Sequence, residues 1–289
     1  MPQLAQYCLH PHGSLSSQPL RWKTSAGSAA NEAPAMLHAT AIMHTASDSL
    51  LKSVSAFRGS MVELQQELCM CMLLKQRGYN VFATCRSSTD GLDNAGVKVI
   101  TGVDLEDDSC HKPILQELGE QKLQLLCVVA GLQYYDTLQT IDRKQVRQQF
   151  EVNALGPLFL VQALQHTLPE SAKVVLLASR MGSLTQVGFT NGDVYGYRMG
   201  KAALHIAGVT LARDFKKRGI PVGLIHPGVV NTEMYNALQV AKNTPKEKRG
   251  LNTLTAEQSA ERIYKLIESL DIENSGSMWD ADKGTLIPW

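Results

Sequence analysis

The sequence predicts a three-layer α/β fold: one doubly wound parallel sheet with helices on both faces, in a single domain. Short, near-continuous apolar runs alternate with longer segments of helical period, as expected for buried parallel strands joined by crossover helices. The chain has 289 residues, 44% hydrophobic and 19% charged, enough for one large core. Its candidate chemical residues fall where the apolar runs end, the edge at which ligands bind in such sheets.

Residues 1–57 stand apart from this alternation. Up to residue 52 they are rich in Ser, Ala, His and Thr, hold only Glu32 and Asp48 as acids, and show no sustained period. A disordered leader is expected there. Few acids beside Arg21 and Lys23 fit a transit peptide to a plastid or mitochondrion; an extension without an address leaves a cytoplasmic protein. The domain is expected over residues 58–289. Residues 61–76 read as its first helix, then 79–84 and 97–101 as strands, 113–118 as a helix and 125–129 as a strand. A long helix over 142–166, a strand over 173–178, a helix over 195–218, a strand over 222–226 and a helix over 256–270 complete the series.

Composition excludes several functions. A formal net charge of +1 gives no reason to expect nucleic acid or an anionic membrane as partner. No apolar run approaches the roughly 20 residues of a membrane helix. The six cysteines, Cys8, Cys69, Cys71, Cys85, Cys110 and Cys127, form no C-x-x-C pair, which argues against structural zinc and a disulfide framework. No metal ligands are expected.

The chemistry concentrates on Tyr197 and Lys201, which share a helix face at i and i+4. A neighbouring ammonium stabilises a phenolate, and such a tyrosine suits proton exchange with an alcohol or carbonyl oxygen. Alone, the spacing equally describes a solvated helix pair. Ser179 closes the run Lys-Val-Val-Leu-Leu-Ala at the carboxyl edge of a strand, either meeting a substrate oxygen or capping the strand, with Ser183 as a rival hydroxyl. Asn153 lies in an apolar helix four residues before Pro157, whose missing N–H frees the Asn153 carbonyl. That marks either a water-holding site linked to Lys201 or a kinked helix with a satisfied core asparagine.

In order and spacing, Asn153, Ser179, Tyr197 and Lys201 resemble the catalytic tetrad of the short-chain dehydrogenase/reductases. The strings ATCR, VDLED, VNALGP, LASRMGS, YGYRMGKAAL, HPGVVNTEM and IPW are similar to the C-factor-like and sniffer-like carbonyl reductases of that family, from residue 58 to the C terminus. The resemblance implies a Rossmann-type fold and reduction of a small carbonyl, or oxidation of the alcohol, with NADP(H). It makes Tyr197 the general acid/base and gives Ser179 the carbonyl to orient. Lys201 would lower the tyrosine pKa and hold the nicotinamide ribose, and Asn153 would support a proton relay. Tyr195 would be a decoy, because its i+4 partner is Met199.

Arg86, after the second strand of the family's fold, stands where a basic side chain favours the 2'-phosphate of NADP; the alternative is a solvated arginine. Asp104 and Leu105 resemble the adenine-contacting pair, and Ala130 and Gly131 the Ala-Gly pair of the cofactor site. Pro227, Gly228, Val230 and Thr232 resemble the turn that meets the nicotinamide carboxamide and the phosphates. The helices carrying Asn153 and Tyr197 resemble the family's dimer-forming pair, with Gly200 and Gly208 permitting close helix packing, so a homodimer or homotetramer is expected.

Two departures stand out. The family opens with a strand and a glycine-rich turn that lets backbone N–H groups approach the pyrophosphate. Here Glu63-Leu64-Gln65-Gln66-Glu67, or Ala56-Phe57-Arg58-Gly59-Ser60, stands in that place, and residues 50–55 are too polar for a central strand. Val129 replaces the asparagine before Ala-Gly. A first exon replaced by splicing or an altered gene boundary would explain this. So would an inactive, cofactor-deficient homologue kept as an interaction or dimerisation partner. An epimerase or dehydratase of the extended branch is disfavoured, since only about 60 residues follow Gly228.

Overall fold

The structure, a computed structural model, describes residues 40–45, 52–54, 60–86, 96–189, 192–250 and 252–289. Strands β1 (Thr40–Thr45) and β2 (Lys52–Val54) precede helix α1 (Ser60–Gln76). Then come β3 (Asn80–Thr84), β4 (Lys98–Ile100), α2 (His111–Leu118) and β5 (Leu123–Val128). Helices α3 (Arg143–Phe150) and α4 (Gly156–Leu164) lead to β6 (Lys173–Leu177), α5 (Tyr195–Lys216) and β7 (Val222–His226). The chain closes with α6 (Glu233–Ala241), α7 (Ala256–Ser269), β8 (Met278–Asp280) and β9 (Thr285–Leu286).

The nine strands among the described residues form one sheet in the order β4-β3-β2-β1-β5-β6-β7-β8-β9. The pairs β3–β4, β5–β6, β6–β7 and β7–β8 are parallel, as the alternation predicts. Helices cover both faces because successive strand residues point to opposite sides. In β5, Leu126 and Val128 join Ile114, Leu160, Leu164 and Leu204 of α2, α4 and α5, whereas Leu125 and Cys127 join Leu74, Ile263 and Ile267 of α1 and α7. β6 divides the same way, Val174 and Leu176 against Val175 and Leu177. Burial on both faces is why these runs are continuously apolar.

Two expectations are corrected. β1 and β2 lie inside the span expected to be a leader, so strands of the sheet begin upstream of residue 58. β1 supplies the second neighbour that β5 would otherwise lack and also pairs with β3, which β2 joins in parallel; β1 is antiparallel to both, with Ile42 opposite Phe82 and Leu126. The hexapeptide Thr-Ala-Ile-Met-His-Thr, half of it polar, reads poorly as a central strand; ladder pairing with β2, β3 and β5 places it there. The helix expected over 142–166 is also divided. Glu151–Leu155 form a π-helical turn in which the Gly156 N–H donates to the Glu151 carbonyl. This widened turn lies immediately before Pro157, where a regular ladder cannot continue.

Candidate active site

Helix α5 is fixed at its N terminus by Asp136, a buried carboxylate in the loop after β5 that accepts from the N–H groups of Tyr195 (2.5 Å) and Gly196 (3.3 Å). It satisfies two amides with no intrahelical partner and sets negative charge at the positive helix end. One turn in, Lys201 Nζ lies 5.9 Å from the centre of the Tyr197 ring. The buried ammonium donates to the carbonyls of Leu177 (2.8 Å) and Ala130 (3.3 Å), at the carboxyl ends of β6 and β5. A charge so buried needs partners, and these carbonyls present the negative ends of their dipoles to it.

Asn153, on the π-helical turn, is fully buried. Its Oδ1 accepts from Leu132 N–H and its Nδ2 donates to Leu132 O, both at 2.8 Å, so it braces the loop that leaves β5. The side-chain amide is thereby satisfied within the chain. α5 can approach this turn because Gly200 has no side chain: a Cβ there would stand 2.9 Å from Gln149 O and 3.0 Å from Asn153 Cβ. At Gly208 it would stand 2.7 Å from Leu224. Both glycines therefore serve close packing within the chain.

Ser179 is buried, and its Oγ accepts from Met181 N–H at 3.2 Å, capping the short turn Arg180–Gly182. Ser183 donates to Pro288 O at 2.5 Å, so this rival hydroxyl ties down the C terminus.

A cleft of about 90 Å³ opens at the carboxyl ends of β5, β6 and β7, lined by Gly131, Tyr197, Lys201, Pro227 and Thr232 among others. Thr232 caps α6 through Tyr235 N–H, and Gly228 holds a left-handed φ of +89° in the turn after β7. Val230 is buried beside this turn, bridged to Leu254. Arg86 and Asp104 lie farther along the same sheet edge, after β3 and β4, and pair at 3.4 Å. Leu105 packs so tightly over Gly156 that a Cβ there would meet it at 2.6 Å.

The cleft divides when tested against a dinucleotide. At the Tyr197 end the residues fit a nicotinamide ribose, with a hydroxyl, an ammonium and, at Gly131, no side chain: a Cβ there would stand 3.6 Å from Asn153 Oδ1 and 3.7 Å from Lys201 Nζ. At the other end stand Gln66 and Glu67, in the interior of α1, where backbone amides are already bonded within the helix and offer a phosphate no donors. Gln66 donates to Ser259 Oγ (2.9 Å), which donates to Pro227 O (2.8 Å), coupling α1 to the Pro-Gly turn. The sequence reading missed Asp136, Ser259 and His205. Each acts on a partner more than 20 residues away, and no local pattern marks such contacts.

Behind Ser179, the buried His205 packs at 5.7 Å from the Trp289 ring, and His226 lies near the Arg180–Asp280 ion pair. His205 Nε2 and both ring nitrogens of His226 have no hydrogen-bond partner among the described residues. Burial, then the charge of Lys201, lowers the His205 pKa to about 4; burial, then Arg180, does the same to His226. The unfolded chain binds these protons near pH 6.5, so the two groups withdraw stability as pH falls from about 6.5 toward 4. Glu67 acts oppositely: burial pushes its pKa from the ordinary 4.5 up to about 8, and stability is lost as pH rises through that interval. Thermal unfolding from pH 4 to 9 should give a maximum melting temperature near pH 6.5, with Glu67→Gln flattening the alkaline side.

A doubly wound sheet with a cleft at the carboxyl edge of its strands, lined by Tyr197 and Lys201, is a Rossmann-type α/β architecture. The chain belongs to the short-chain dehydrogenase/reductase family: a family profile described as Enoyl-(Acyl carrier protein) reductase matches residues 69–284. The 1-hydroxy-2-glutathionyl-2-methyl-3-butene dehydrogenase of Rhodococcus sp. (strain AD45) is 35% identical over 218 residues, 75% of this chain and 91% of that protein. In fold, the chain is similar to the NADPH-bound carbonyl reductase from chicken fatty liver, with a TM-score of 0.65 and 23% identity over 78% of this chain and 95% of that one. The carbonyl reductase Sniffer of D. melanogaster gives a TM-score of 0.64 and 21% identity over the same shares. Among the described residues, no helix is long and apolar enough to cross a membrane.

Proposed function

We propose that this oxidoreductase reduces a small carbonyl compound with NADPH, or oxidises the corresponding alcohol. The supporting observation is the cleft that Tyr197 and Lys201 line together, with Lys201 anchored on Leu177 and Ala130. Bound there, NADPH supplies the hydride. Tyr197 donates its phenolic proton to the carbonyl oxygen, and the Lys201 ammonium favours the phenolate left behind. Ser179 orients the carbonyl through its hydroxyl. Asn153 acts by fixing the Leu132 loop, and through that loop it supports the proton relay.

Arg86 supports NADP over NAD. Its side chain is 29% exposed at the end of β3, beside Asp104, where a guanidinium can grip a 2'-phosphate. The NADPH held by the chicken reductase supports the same cofactor. Arg86→Ala should weaken NADPH binding about tenfold or more, the worth of a charge-assisted hydrogen bond, and leave NADH nearly unchanged. Titration of nicotinamide fluorescence reads both constants, and equal losses would remove the NADP assignment.

A homodimer or homotetramer is proposed from exposed Phe159 on α4 and Met199 and Ile206 on α5, apolar surface on the two adjacent helices. The second reading, an inactive homologue kept as an interaction partner, draws on Glu67 in the cleft. Absence of NADPH binding at millimolar concentration would favour it.

A further inference from the structure

Glu67 is a buried carboxyl, 5% exposed, lining the cleft that also holds Tyr197, Lys201 and Thr232. Its Oε2 has no hydrogen-bond partner among the described residues. A buried acceptor in that position costs about 1–3 kcal/mol unless it is protonated or meets a donor, so the site favours the neutral acid. In that form the group can donate to an anionic oxygen; ionised, it places a second anion against a polyphosphate in a cleft of low dielectric.

We propose that Glu67 is a proton-dependent gate on the cofactor cleft, admitting the anionic dinucleotide as a neutral carboxylic acid and repelling it as a carboxylate. This rests on the NADPH-dependent reading above. Burial, which lifts the carboxyl to about 8, brings its ionisation into the range just above neutrality. The groups facing it do not share that range by their thiols. Cys69 and Cys71 on α1 and Cys127 on β5 are all raised by burial, Cys69 and Cys127 to about 12, and Cys69 is also held by a bond to Glu257 of α7. Across the cleft, α5 contributes Tyr197 and Lys201. Glu67→Gln keeps shape and neutrality, so it separates the Glu67 contribution from theirs.

The experiment is fluorescence titration of the full chain with NADPH at pH 7 and pH 9, both above the second ionisation of a phosphate monoester, near 6. If only the neutral form admits cofactor, about one molecule in ten is competent at pH 9, and the wild-type Kd rises about tenfold between the two values. Glu67→Gln should show one Kd at both, close to that of wild type at pH 7. A Glu67→Gln protein with the wild-type pH dependence, or a wild type with measurable binding and a flat profile, overturns the gate and leaves the reductase reading intact. Failure of both proteins to bind NADPH at either pH overturns the two together. Melting temperature supplies a readout independent of cofactor: the decline above pH 6.5 should be smaller in Glu67→Gln.

Discussion

Tyr197→Phe should lower NADPH-dependent turnover by about 10²- to 10⁴-fold, the usual contribution of a positioned acid/base, with NADPH affinity changed by no more than a few-fold. The substitution removes one oxygen and leaves the ring, so its contacts on α5 and its place near Lys201 persist. Stability should change by less than about 1 kcal/mol, as for a partly exposed site away from the core. The control is Tyr195→Phe. Tyr195 lies two residues earlier, on the turn that Asp136 anchors through backbone amides, and its i+4 partner is the exposed Met199 rather than a lysine. It should keep full turnover. Steady-state rates on a panel of small aldehydes and ketones, with fluorescence titration of NADPH, check both variants. A Tyr197→Phe protein keeping a tenth of wild-type turnover removes Tyr197 from the acid/base role.

The parts of this molecule that were legible in the sequence are those whose cause is local or repeats. A strand buried on both faces is apolar nearly throughout, so β5, β6 and β7 appear as near-continuous runs, and these with β3 and the edge strand β4 fall within one or two residues of the expected ends. Tyr197 and Lys201 were legible because four residues is a helix turn. The illegible parts depend on pairing across the chain. β8 is three residues long and owes its place to β7, and β1 is a half-polar segment held by β2, β3 and β5. The orientation of β1 could not be read, since periodicity is the same in either direction. Asn153 admitted two sequence readings because an amide in a helix reports nothing about the loop it bonds 21 residues away. Glu67 was legible as an acid in the wrong place; its burial, and hence its proton, required the packing of α1 over β5 and α7.

Lys201→Met separates what the ammonium does for the reaction from what it does for the fold. Methionine has a chain of similar length, fills the same slot and carries no charge. Two hydrogen bonds to Leu177 O and Ala130 O are lost, at about 1–3 kcal/mol for each acceptor left buried and unsatisfied. Against this, a buried ammonium forgoes hydration worth several kcal/mol, and methionine carries no such penalty. The terms are of similar size and opposite sign, so the melting temperature should move by only a few degrees in either direction. Turnover responds to one term alone. Without the positive charge, nothing at that position favours the phenolate of Tyr197, and the rate should fall by at least two orders of magnitude. NADPH affinity should fall as well, because the proposed hold on the nicotinamide ribose is lost; that distinguishes this variant from Tyr197→Phe, in which binding persists. Thermal unfolding, turnover and cofactor titration on one preparation give the three numbers. A protein that loses its fold together with its activity assigns Lys201 to structure, and one that keeps both leaves the Tyr–Lys pair a helix contact without chemistry.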